Sequence, residues 1–130
     1  DATLNPGGVR LGTSEIYSEI EKFKEIKESL VIGQSWNNDI RIILFVITKE
    51  NYKLHEDLIK KIKLQIKKNV SPRHVPNKII RIKDIPKTKN GKIVELTVKN
   101  IIEGNKIKNK EALANPEVLD QFKNLKELKY

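Results

Sequence analysis

The sequence predicts an α+β fold: a small mixed β-sheet packed with helices, preceded by an N-terminal hairpin and followed by a helical C-terminal tail. Three observations carry this. Arg41 to Ile47 is a nearly unbroken β-branched and aromatic run, as a central strand covered on both faces requires. Leu54, Leu58, Ile62, Ile66 and Val70 recur every fourth residue with Lys60, Lys61, Lys63, Lys67 and Lys68 turned away, the pattern of an amphipathic helix. Pro6-Gly7-Gly8 stands ahead of Val9-Arg10-Leu11, the chemistry of a tight turn with a strand leaving it.

In chain order, 1–11 reads as a glycine-centred hairpin, with Val9-Arg10-Leu11 leaving as a strand. Thr13 stands where a cap is needed for the next helix, whose first turn holds Glu15 and whose apolar face holds Ile16, Ile20 and Phe23. Ser29 to Gln34 is a short strand and Trp36 to Asp39 a turn into the central strand. The helix over 54–70 has Glu56 and Asp57 in its first turn and Lys67 and Lys68 in its last, matching the helix dipole, and Ser71-Pro72 ends it. Lys78 to Ile82 is another strand. Ile93 to Leu96 reads as extended, and Thr97 as the cap of a short helix stopping at Gly104. A polar linker over 105–110 leads to a terminal helix capped by Asn115 and opened by Pro116, with Val118, Leu119, Phe122 and Leu125 on its apolar side. The domain reading is 1–104 as one unit and 105–130 as linker and tail.

At 130 residues the chain can bury one core but is small for a two-domain enzyme. It contains no Met, which reads as a piece of a longer chain, and no Cys, which fits a reducing, cytoplasmic setting without disulfides or thiolate metal sites. No apolar run reaches the ~20 residues of a membrane span, so no membrane partner is expected. Lys and Arg number 26 against 17 acidic residues, and the net charge of +9 favours anionic partners. Only Arg10, Arg41, Arg73 and Arg81 are arginines, and exposed aromatics are scarce, which disfavours base reading and single-strand stacking.

The stretch with the most pointed chemistry is Ile85-Pro86-Lys87-Thr88-Lys89-Asn90-Gly91-Lys92. Asn90 and Gly91 are residue types that tolerate positive φ, so the turn is sharp and Lys92 becomes a cation held on an exposed loop. The same residues also read as an ordinary hairpin turn in a lysine-rich chain. Elsewhere the familiar catalytic constellations are missing. His55 and His74 stand alone, without the carboxylates or thiols of a metal site, and read as surface or packing histidines. Glu15 and Asp84 read as a helix-start charge and a loop residue. No Walker loop, nucleophile elbow or paired-glycine fingerprint occurs.

The segment Asp84 to Lys92 resembles the final signature of the adenylate-forming enzymes, the superfamily of acyl-CoA synthetases, firefly luciferase and peptide-synthetase adenylation domains. The segment Asp1-Ala2-Thr3-Leu4-Asn5-Pro6-Gly7-Gly8-Val9-Arg10-Leu11-Gly12-Thr13-Ser14-Glu15-Ile16 is similar to the hinge signature of the same superfamily. Together the two span 1–104, the C-terminal lid domain of such an enzyme. The phrases Leu4 to Arg10, Ser71 to Pro76 and Ala112 to Glu117 resemble the acetoacetate-activating branch. The chain departs from the superfamily pattern at Asn90, where Ser or Thr is usual, and at Glu95, where a basic residue often stands.

The resemblance implies a ligase that joins acetoacetate and ATP into an acyl-adenylate with release of pyrophosphate, then exchanges AMP for CoA. ATP and CoA are its substrates, Mg2+ accompanies ATP without being bound by this domain, and the rest of the same chain is the partner. Carried over residue by residue, Lys92 matches the catalytic lysine of the first step and Asp1 the hinge. Arg10 matches an arginine near the nucleotide phosphates, and Gly7 and Gly8 the bare backbone along the pantetheine channel. Lys67 lies where relatives place a cation for the CoA 3′-phosphate, although a solvated helix face also accounts for it. The isolated chain is expected to be inactive. The lid of another short-chain acyl-CoA synthetase and a lysine-rich RNA-binding module are the alternative readings.

Overall fold

The computed structural model describes residues 3–90, 93–107 and 110–130. Strands β1 (Thr3–Leu4) and β2 (Leu11–Gly12) form the N-terminal hairpin, Leu4 lying opposite Leu11, with a 3-10 turn over Pro6–Gly8 between them. Pairing thus takes in only Leu11 of the expected Val9–Leu11 strand and runs on to Gly12, because Val9 is still closing the turn through its N–H to Pro6 O at 3.0 Å. Helix α1 (Ser14–Ile20) buries Ile16 and Ile20. Thr13 occupies its N-cap position but makes no side-chain cap bond; its φ of −89° and ψ of −18° are already helical, whereas a cap needs extended backbone.

The main sheet has the order β3 (Ile26–Trp36), β4 (Asp39–Thr48), β5 (Lys78–Arg81), with β3 antiparallel and β5 parallel to the central β4. Strand β3 extends well past the expected Ser29–Gln34, pairing from Ile26 opposite Thr48 to Trp36 opposite Asp39. Lys27, Glu28 and Ser35 dilute its apolar pattern at both ends. Asn37 and Asn38 adopt φ of 49° and 61°, the two left-handed residues of a tight hairpin turn. Helix α2 (Glu56–Asn69) is the crossover from β4 to β5. Its first turn is capped by His55, whose Nδ1 accepts from the Leu58 N–H at 3.3 Å, so this histidine has a defined backbone role.

Side chains alternate across the sheet, and both faces are covered. Val31, Ile42, Leu44 and Val46 pack against Ile16 and Ile20 of α1 and Leu58, Ile62 and Ile66 of α2. Leu30, Ile32, Ile43 and Phe45 face the other way, against Val98 and Ile101 of α3 (Glu95–Ile102) and against Leu113, Leu119, Phe122 and Leu128 of the tail. The double covering is the physical reason for the apolar run in β4. Helix α3 starts earlier than expected: Val94 is its N-cap residue and Thr97 lies inside it, because Val94, Val98, Ile101 and Ile102 form its sheet-facing stripe. Gly104, at φ 78°, ends it as expected.

Over Pro116–Phe122 the expected terminal helix is a 3-10 helix. Three residues per turn bring Leu119 and Phe122 onto the same side, toward the sheet. There Phe122 meets Phe45 edge to face, ring centroids 5.1 Å apart at 87°. The last residues are fastened by Arg41, which donates to Leu128 O at 3.1 Å and Tyr130 O at 2.8 Å beneath a stacked Trp36.

Candidate functional site

Two connecting segments carry the residues singled out in the sequence. The first is the Pro6–Gly8 turn. Gly7 and Gly8 have φ of 60° and 77°, a region that favours glycine, and the Gly8 N–H closes the turn onto Asn5 O at 3.2 Å. The Gly7 N–H points outward to Asp39 Oδ1 at 2.9 Å, and the same oxygen accepts from the Ile40 N–H at 2.7 Å. These two N–H groups, Ile40 first, hold the Asp39 carboxyl below the usual carboxylate range. One carboxylate thereby pins the glycine turn to the tip of the β3–β4 hairpin. An open groove of about 630 Å³ runs there between Gly8, Asn5, Trp36, Asn38 and Asp39. A Cβ added to Gly8 would meet nothing within 4 Å, so the backbone faces open space.

The second segment runs from Lys83 to Asn90. Ile85 and Pro86 are buried, while Lys89 and Asn90 are exposed. The stem is built by an antiparallel bridge of Lys87 with Ile93, a Val94 N–H bond to Pro86 O at 3.2 Å, and an antiparallel bridge of Thr88 with Leu113 of the tail. Lys87 Nζ is paired with the Glu28 carboxylate on β3. The Asn90 Oδ1 accepts from the Thr88 hydroxyl. Glu95, immediately past the loop, accepts from the Tyr17 hydroxyl at 2.6 Å, and that hydroxyl accepts from the Val31 N–H at 2.9 Å. Burial first, and then the bond to Glu95, pushes the Tyr17 hydroxyl's pKa up and keeps it a donor. The acidic residue at position 95 therefore ties α3 to α1.

Lys92 and Asp1 lie outside the described residues. Arg10 is exposed just past the glycine turn, and Lys67 is exposed in the last turn of α2. The cation that approaches Gly7 is instead Arg73, whose Nη1 lies 4.0 Å from where a Gly7 Cβ would stand. Arg73 follows Pro72 in a 3-10 turn over Pro72–His74, where His74 is buried and 2.6 Å from Ser71 Oγ. Sequence reasoning missed Asp39 and Arg73 because their partner, the glycine turn, is more than thirty residues away in the chain. Among the described residues no helix is long and apolar enough to cross a membrane.

Residues 15–92 match the family of the AMP-binding enzyme C-terminal domain. The chain is 57% identical over 129 residues to the acetoacetyl-coenzyme A synthetase of Rhizobium meliloti (strain 1021), covering 99% of this chain and 20% of that one. The fold matches the acetoacetyl-CoA synthetase of Streptomyces lividans with a TM-score of 0.84 and 37% identity, covering 94% of this chain and 18% of the other. It matches a Brucella canis acyl-CoA synthetase with a TM-score of 0.66 and 26% identity, over 72% of this chain and 17% of that one. The chain thus spans about a fifth of the length of the curated relatives it matches. With the family match extending over more than half of the chain and the same fold in solved synthetases, the chain belongs to the AMP-binding enzyme C-terminal domain family.

Proposed function

We propose that the chain serves as the C-terminal lid of an ATP-dependent acid–CoA ligase that converts acetoacetate, ATP and CoA to acetoacetyl-CoA, AMP and pyrophosphate. The observation that carries this is the 57% identity to an acetoacetyl-coenzyme A synthetase, which runs through the tail beyond the family match. The remainder of such an enzyme, about four fifths of its length, supplies the nucleotide and acid pockets. Mg2+ arrives with ATP as part of the substrate. The lysine-rich RNA-binding reading is not favoured beside this likeness.

In the first step a carboxylate oxygen attacks the α-phosphorus and pyrophosphate leaves. Two anions must meet, and Lys92 supplies the charge that lets them. In the second step the CoA sulfur attacks the acyl carbon and AMP leaves. The Gly7-Gly8 backbone then borders the pantetheine arm, because a thin chain can run against a turn with no side chains. Asp1 serves as the pivot between the two steps, Arg10 faces the nucleotide phosphates, and Lys67 faces the CoA 3′-phosphate.

Lys92→Ala in the full-length ligase tests the assignment. Removing one preorganised charge from a water-excluded site costs about a hundred- to a thousandfold in rate. Acetoacetate-dependent exchange of pyrophosphate into ATP should fall by that factor, while synthetic acetoacetyl-adenylate is still converted by CoA at close to the normal rate. Full exchange in the variant would remove Lys92 from the mechanism.

A further inference from the structure

Past β5 no strand among the described residues lies beside 83–86, and Lys87 makes only an isolated bridge to Ile93, yet Ile85 and Pro86 are buried, so the backbone there must find other partners. It finds them in two carboxamides of the tail. Gln121 accepts from the Lys83 N–H at 2.9 Å and donates to Asp84 O at 2.5 Å. Asn115 donates to Ile85 O at 3.0 Å and accepts from the Lys87 N–H at 3.0 Å. The Ile85 N–H goes to Asp84 Oδ1 at 2.8 Å, Pro86 has no N–H to satisfy, and Lys87 O accepts from the Ala114 N–H at 2.9 Å. Each amide presents one donor and one acceptor to the chain, as an adjacent strand would.

We infer that Asn115 and Gln121 are positioning residues for the adenylation step: the tail acts as a substitute strand that fixes the stem of the loop leading to Lys92. This rests on the reading of Lys92 given above. The two amides lie past the segment that matches the family, which ends at position 92. The tail is itself anchored, with Leu119 and Phe122 buried on either side of Gln121's attachment and 2% and 1% exposed. A loop that must place one charge within a fraction of an ångström profits from such a stem, since a 1 Å misplacement can cost about a hundredfold.

Isosteric replacement isolates the hydrogen bonds from the packing. Asn115→Asp and Gln121→Glu keep shape and acceptors but lose the donors, and they set a carboxylate against Ile85 O or Asp84 O. In Asn115→Asp the new charge also faces Asp84 Oδ2, which Asn115 Nδ2 approaches at 3.4 Å. In the full-length ligase each variant should lower kcat for pyrophosphate exchange by roughly tenfold or more with little change in KM. Thioester formation from synthetic adenylate should persist. Adding Asp84→Asn to Asn115→Asp restores a donor opposite an acceptor and should recover part of the lost rate. If Lys92→Ala abolishes exchange but both amide variants retain it, the brace is wrong and the lysine assignment stands. Loss of both half-reactions together would make the amides merely structural and also overturn it. If Lys92→Ala leaves exchange intact, the lysine assignment falls and this inference with it.

Discussion

The glycine turn and the loop after β5 are both short, polar connections, and they are held in opposite ways. Among the described residues, the Pro6–Gly8 turn is tied to the rest of the fold by one N–H bond, from Gly7 to Asp39, and Gly8 faces open space. The 83–88 stretch is tied by both Gln121 and Asn115, by Ala114, by an ion pair to Glu28 and by a bridge to Leu113. The difference follows from what each must present. On the roles proposed above, a channel wall for a flexible arm needs only to be empty and narrow, whereas a loop that delivers one ammonium group to a reacting centre needs a fixed stem.

The largest effect is expected from unseating the tail. Phe122→Ala removes a ring that is 1% exposed and packed on Phe45, and should destabilise the 130-residue chain by about 3 to 5 kcal/mol in urea unfolding. Amide exchange at Lys83 and Lys87 should quicken, with the Gly7 amide unmoved below the unfolding transition. Equal acceleration in both regions would mean that the tail holds the whole sheet and not the loop in particular.

A smaller effect is expected at the glycine turn. Gly8→Leu places a branched side chain at φ 77°, where an L-residue costs about 1 to 2 kcal/mol, and puts it in the groove. On the proposed function, thioester formation by the full-length ligase should fail while pyrophosphate exchange largely survives. Gly8→Asn, which tolerates this φ better, should restore the melting temperature and so separate strain from obstruction. Joint loss of both half-reactions in the two variants would assign Gly8 to folding alone.

The smallest effect is expected from a change of pH. The Asp39 carboxyl is held below its ordinary value by the Ile40 and Gly7 N–H groups. Its hold on the turn is therefore present at neutral pH, fully so above the unfolded value of about 3.9, and lost as pH falls through the depressed folded value. The Gly7 amide resonance should titrate in that acidic window, and Asp39→Asn should flatten the titration with little change in stability at pH 7. The Lys83 and Lys87 amides, bonded to carboxamides, should not follow the same curve.

By itself the sequence determined what depends on near neighbours. The apolar run in β4, the fourfold spacing in α2, and the paired glycines at 7 and 8 each specify a local geometry through packing period or backbone freedom. The two motif segments were legible for the same reason, being contiguous. What the tertiary structure decided is what meets across the chain. The tail's polar linker reads as detachment, yet Leu113, Leu119, Phe122 and Leu128 return to the sheet because the Leu30–Phe45 face would otherwise lie bare on one side. Thr97 looks like a cap until the sheet sets where α3 begins, and Glu95 looks like a misplaced charge until Tyr17 stands opposite it. Asn115 reads as a helix cap, but the unpaired backbone beyond β5 claims its amide first. Local spacing cannot reveal such assignments, because the cost of an unsatisfied buried backbone group is charged to whichever distant side chain the fold brings within reach.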